Sequence, residues 1–240
     1  MVAASAVSSH GAAAAAAPAP VNLTKNIQDE VKSRTKDAWA AIKLFAQSPV
    51  GGLQQSFEML GSSRALSVGV IFAIVYEVLF FWGIYRFADH AVSSLRNIIG
   101  GMGGMGTLGG GISPGEMSAK LLIQLGFAGV VPFITLTASG AIARKIFRGK
   151  GSVAGDIYIA GACLLPQGLF ILVASFLGVA NFEVIMALFV FAVTYSVLML
   201  FAGCSRISAI SEAGAAPAVP LMLLLSLWLT KVVVVAVLGP

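Results

Sequence analysis

Five apolar stretches, each long enough to cross a lipid bilayer as a helix, constrain this chain more than any other feature. They run over Ala65–Tyr85, Leu121–Ile142, Ile157–Ala180, Val184–Gly203 and Ala218–Leu238. About 20 helical residues at 1.5 Å rise cover a hydrocarbon layer roughly 30 Å thick. In lipid every backbone N–H and C=O must be satisfied internally, and single stretches of this length do so as helices. The expected fold is all-α: a polytopic bundle of five transmembrane helices with the lipid bilayer as its surroundings. Composition agrees. The chain is 58% hydrophobic and 10% charged, where a soluble domain carries roughly 25% charged residues.

The formal charge of +5 does not point to nucleic acid, because the basic residues form no compact patch. They flank the apolar stretches, as membrane-bordering charge does. Lys25, Lys32, Arg34, Lys36, Lys43, Arg64, Arg144, Lys145, Arg148, Lys150 and Arg206 fall on one side of a five-span topology. Arg86, Arg96 and Lys120 fall on the other. The expected orientation puts the N-terminus in the cytoplasm and the C-terminus outside. Heavy use of Ala, Gly and Val fits a bacterial source, so the expected location is the bacterial plasma (inner) membrane.

Ahead of the spans, residues 1–20 are Ala-rich, lack a basic start and a strongly apolar middle, and are expected to be a disordered tail. Residues 21–62 read as a short cytoplasmic amphipathic segment. Ile27, Val31, Ala38, Ile42 and Phe45 recur at helical steps, with Thr24 at the start and Ser48-Pro49 at the end. Such a helix lies on the membrane surface or on the bundle itself. A second short helix is expected over Leu53–Leu60. Residues 63–240 form the five-span domain, interrupted by the Gly-rich stretch 100–111, which reads as a flexible tether. Phe87–Ile99, just before it, reads as a short interfacial helix.

Two charged residues lie deep within spans, where charge is costly unless paired or wetted. Glu77 is in the first span and Lys231 in the fifth, at matching depth if both helices run the same way. They are read here as a candidate intramembrane ion pair, a staple between spans. The functional alternative is a protonatable Glu77 on an ion or substrate path, with Lys231 snorkelling outward. Thr135, Thr137 and Ser139 follow Pro132, and Gln167 follows Pro166, where polar groups can re-satisfy backbone freed by a proline. Asp156 suits a positive helix end, and Gly126, Gly129, Gly140 and Ala143 permit close helix approach.

Enzyme motifs in their working context are missing. No H-E-x-x-H or Walker loop occurs, and no dinucleotide fingerprint follows a strand; the bare patterns G-x-G-x-x-G at Gly101–Gly106 and G-x-S-x-G at Gly111–Gly115 fall in and beside the Gly-rich stretch. His10 and His90 lie outside the spans, and Cys163 and Cys204 form no C-x-x-C. Met102, Met105 and Met117 are thioethers in or near the Gly-rich stretch and make no metal set. No catalytic residue, cofactor or metal site is expected.

Two stretches carry a family resemblance: SPVGGLQQSFEMLGSSRALSVGV over Ser48–Val70, leading into the first span, and GDIYIAGACLLPQGLFILVASFLG over Gly155–Gly178. With the spacing of the last two spans, they resemble the Yip family of five-span membrane proteins, in particular its bacterial members. The resemblance covers roughly residues 45–238. The Asp-Leu-Tyr-Gly-Pro that eukaryotic members carry before the first span has no counterpart there, and Asp156-Ile157-Tyr158 echoes it only in part. Interaction with prenylated Rab GTPases is therefore not carried over. What the resemblance implies is a non-enzymatic membrane scaffold or trafficking-type protein. The compact spans, short loops, basic cytoplasmic face and lack of chemistry add the expectation of a protein partner met through the N-terminal helix. The alternative is a small transporter or channel component using Glu77. Oligomeric state is left open by the sequence.

Overall fold

The computed structural model describes residues 23–101, 119–178 and 181–238. They form six α-helices: α1 Leu23–Gln47, α2 Gly51–Gly101, α3 Ala119–Ile146, α4 Val153–Leu177, α5 Phe182–Ala202 and α6 Glu212–Leu238, with a π turn at Gly203–Ile207 extending α5. Among the described residues there is no strand. Five segments are long and apolar enough to cross a membrane: Gly51–Phe87, Gly126–Ile146, Val153–Leu177, Phe182–Ile207 and Glu212–Val233. The chain is a polytopic helical membrane protein. The tail at 1–20, Met102, Met105, Met117 and all of the Gly-rich stretch beyond Gly101 lie outside the described residues.

The first span differs from expectation in its extent. Leu53–Leu60, expected as a second short helix, lies in a helical segment that ends at a kink at Gly61 (φ 68°, ψ 165°), whereas Phe87–Ile99, expected as a separate interfacial helix, continues the helix of the first span. Only glycine adopts the backbone geometry of the kink without strain. The boundary at residue 62 falls one residue after this kink. The segment before the kink is pinned by its own side chains: Leu53 is fully buried, Ser56 Oγ meets the Tyr158 hydroxyl at 2.5 Å, and Phe57 packs 5.7 Å from the Tyr158 ring. Ser48 serves both ends of the preceding turn. Its N–H donates to Leu44 O at 3.1 Å to close α1, and its Oγ accepts from Gly51 N at 3.2 Å to start α2.

Helix α1 packs on the bundle rather than apart from it. Ala38, Ala41 and Phe45 are buried, Arg34 Nη1 donates to Ser67 Oγ at 2.7 Å, Arg64 reaches Asp37 at 3.8 Å, and the Tyr195 hydroxyl on α5 donates to Phe45 O. The buried face is 34-38-41-45, not the expected stripe through Val31, which is 60% exposed. The stripe fails at Val31 because the helix has left the bundle by that turn: every described side chain from Gln28 to Ser33 is exposed.

The spans alternate in direction, with α4 at the centre between α2, α3 and α5. The α2–α4 seam is the tightest. A side chain at Gly69 would meet Tyr158 Cα at 2.7 Å, one at Gly161 would strike Gly69 O, and one at Gly83 would meet Ile171 at 2.7 Å. Small residues let the two backbones approach to a distance at which dispersion and weak C–H···O contacts hold helices together in lipid. Around this seam Ala65, Val68, Phe72 and Tyr158 are fully buried. Helix α6 joins chiefly through α3, where Thr135 Oγ1 and Ser226 Oγ meet at 2.8 Å.

Hydroxyls serve the proline-containing helices differently from expectation. Thr135 donates to Pro132 O at 3.1 Å and Ser139 to Leu136 O at 3.1 Å. Neither takes the carbonyl four residues before Pro132 that the ring deprives of its donor. Thr137 Oγ1 has no partner in the structure.

Candidate functional site

Three features carry the chemistry of the described residues: a charged cluster at the α1 end of the bundle, a lone carboxylate between spans, and an apolar groove beneath α1.

The charged cluster begins with Asp156 in the first turn of α4, where the positive helix end favours a carboxylate. Arg144 and Lys145 lie in the last turn of α3, favoured there for the opposite reason. The loop between these helices is short, so the two ends meet. Arg144 Nη2 and Nε reach Asp156 Oδ2 at 2.9 and 3.0 Å, while Ser208 Oγ donates to Oδ1 at 3.1 Å. Gly151 N donates to Ser208 O at 3.1 Å and brings the segment after the π turn into place. The Asp156 side chain is 1% exposed. With both oxygens engaged, this cluster fastens α3, α4 and the end of α5 together. The helix-end role of Asp156 is legible in the sequence, whereas its partner Arg144 is not.

Glu77 and Lys231 are not brought together. Both Glu77 oxygens are buried without a hydrogen-bond partner, and among the described residues no ion pair includes Glu77 or Lys231. The depth argument itself holds. Glu77 faces Gly129 on α3, six residues before Thr135, and on the oppositely directed α6 Lys231 lies five residues after Ser226, the partner of Thr135, a depth difference of roughly 1.5 Å at helical rise. Lateral position separates them: α3 stands between α2 and α6, and Lys231 is exposed one turn after the exposed Trp228. Lysine on that outer face snorkels toward the interface. Glu77 instead occupies the space that Gly129 leaves by lacking a side chain, since a Cβ there would collide with the carboxylate. Of the small residues singled out in the sequence, Gly129 thus acquires a specific role, whereas Gly126 faces open space.

The groove was not foreseen. It encloses about 540 Å³ between α1, α2, α4 and α5 and opens to the side. Its walls include Phe45, Val75, Leu169, Phe170, Phe191 and Ala192. The Phe170 and Phe189 rings, 5.6 Å apart, bridge α4 and α5 beside it. Its one hydroxyl, on Tyr195, is already engaged with Phe45 O. The site therefore offers hydrocarbon contact and almost no polar recognition. The sequence signal was present but distributed over four helices: Trp39, Ile42 and Ala46 share a face of α1, and Pro166 interrupts the donor ladder of α4 opposite them.

Among the described residues no group of three or more His, Cys, Asp and Glu side chains could hold a metal ion. Both cysteines are buried and free. No family model, curated protein or solved structure matches this chain.

Proposed function

We propose that this chain is a non-enzymatic, Yip-like membrane scaffold that presents the N-terminal half of α1 to a protein partner in the cytoplasm. The observation that carries the reading is the division of α1 into two halves. Its C-terminal half is fixed to the bundle through Ala38, Ala41 and Phe45, while Gln28–Ser33 are exposed on all sides. A helix held at one end and solvated at the other offers a rigid, pre-organised surface, which lowers the entropic cost of association. The distribution of lysine and arginine supports a cytoplasmic N-terminus, and the bacterial plasma membrane is the location this reading assigns. The family assignment rests on the resemblance of Ser48–Val70 and Gly155–Gly178 alone.

The test is extraction of the protein in native lipid particles, followed by identification of stoichiometric partners. A partner lost from Val31→Asp with Lys32→Glu, while the bundle stays folded, supports the scaffold. Saturable solute flux by the purified protein alone would overturn it.

A second reading draws on Glu77, whose buried and unpaired carboxylate is the sort of group that marks ion or proton paths in membranes. Under that reading Glu77→Gln abolishes flux and leaves the protein folded.

A further inference from the structure

We propose that the groove beneath α1 holds one acyl chain of an anionic phospholipid, whose headgroup is held by Lys36 and Lys43 on either side of Trp39. This site is independent of the scaffold surface, which uses the other half of α1.

The groove selects for hydrocarbon. Its walls are aliphatic and aromatic, its hydroxyl is occupied, and it opens sideways among helices whose outer faces meet lipid. A volume of about 540 Å³ lies in the range of pockets that enclose small ligands, roughly 300–1,000 Å³. Phe45, at the α1 end of the groove, packs 5.6 Å from the Phe72 ring in the first span, so this end of α1 descends to the level of span residues. Trp39, at the groove's rim, is 59% exposed, as expected for an amphipathic ring at a membrane interface.

Charge supplies the headgroup preference. Lys32, Lys36, Trp39 and Lys43 follow one another at steps of four, three and four, so they share one exposed face of α1. Lys43 Nζ lies 5.7 Å from the centre of the Trp39 ring and is thereby held at the groove's mouth. Of the nearby acids, Glu30 binds Arg34 at 2.9 Å and Asp37 faces Arg64; Asp29 shares the face of Lys32 but lies about two turns from Lys36 and four from Lys43, away from the groove's mouth. Basic residues clustered on an amphipathic helix attract anionic lipid. Here the acyl groove beside them turns a diffuse attraction into a site.

The experiment uses the full chain carrying Trp82→Phe and Trp228→Phe, two lipid-exposed positions, so that Trp39 is the remaining tryptophan. The protein is reconstituted into phosphatidylcholine vesicles containing a minor fraction of brominated phosphatidylglycerol or brominated phosphatidylcholine. Bromine on the acyl chain quenches tryptophan at contact. The expected result is half-maximal quenching of Trp39 at about thirtyfold lower mole fraction of the anionic lipid, the scale of two interfacial lysines. Lys36→Gln with Lys43→Gln should bring the two lipids together, leaving quenching by phosphatidylcholine in place. Ala46→Phe, which fills the groove from the exposed face of α1, should reduce quenching by both. Equal quenching by the two lipids in the parent protein would overturn the proposal. So would a preference that survives the lysine changes, or one of equal size at Trp82 in a protein retaining only that tryptophan. Should Ala46→Phe fail to fold, the exposed lysine variants still decide.

Discussion

The Gly69 position offers the sharpest test of how this bundle is held together. In Gly69→Ala the new Cβ would sit 2.7 Å from Tyr158 Cα and 2.9 Å from both Tyr158 N and Ile157 O. These are backbone atoms of α4 and have no rotamer by which to move aside. Carbon atoms prefer about 3.5–4.0 Å, so the helices must separate locally by roughly 1 Å. A gap of that size forfeits a quarter to a half of each dispersion contact along the seam, where Ala65, Val68, Phe72 and Tyr158 are fully buried. Overpacking a well-fitted core costs about 1–3 kcal/mol, and a backbone-on-backbone clash belongs in the upper half of that range. Gly126→Ala is the matched control, because nothing lies within 4 Å of the added methyl. Both substitutions gain the same helix propensity, up to about 1 kcal/mol, so their difference isolates the clash. Unfolding in mixed micelles, followed by intrinsic fluorescence or by steric trapping, should place Gly69→Ala about 2–3 kcal/mol below Gly126→Ala. A difference under about 0.5 kcal/mol, the ordinary scatter of neutral substitutions, would refute close backbone packing between α2 and α4.

Other substitutions probe the remaining features. Asp156→Ala strands the Arg144 guanidinium and should destabilise the bundle by about 3 kcal/mol, whereas Arg144→Met with Asp156→Leu should restore much of that loss in the same unfolding assay. Glu77→Gln removes a buried, unpaired charge at constant shape, so stability should stay level or rise. A double-mutant cycle with Lys231→Gln should give coupling near zero, and a coupling above about 1 kcal/mol would restore the ion pair between spans. Gly61→Ala must adopt φ near 68° with ψ near 165° and should cost about 1–3 kcal/mol, measurable as a lowered Tm. Tyr158→Phe leaves Ser56 Oγ its bond to Leu53 O and should cost about 1 kcal/mol.

How much of this was legible in the sequence depended on whether a property was local. Span number, the all-helical class and the role of Asp156 at a helix start follow from composition along single continuous segments, and the structure agrees. Neighbour relations do not. Glu77 and Lys231 were matched correctly in depth, because rise per residue is a local quantity, yet α3 stands between their helices and Lys231 faces outward. The spacing of Gly161 and Gly168, two turns apart on α4, did carry a signal for the central helix, since each lies against α2. Val31 looked core-facing because periodicity reports a face and not where along its length a helix stops being covered. The groove needed four helices at once, and no window of sequence contains them.

The central place of α4 bears on how the chain is made. Spans leave the ribosome in order, so the first two must reside in the bilayer before the helix they both lean on has been synthesised. For most folds such an interval would expose a sticky core, but here it need not: the seam of α2 is small and apolar, and lipid covers it as readily as protein does. Commitment to the final arrangement therefore waits until about residue 177 has entered the membrane, when Gly161 and Gly168 supply the matching face. A nascent chain halted earlier would look to quality control like ordinary dissolved helices, and Glu77, lodged against Gly129, would be its most conspicuous mark.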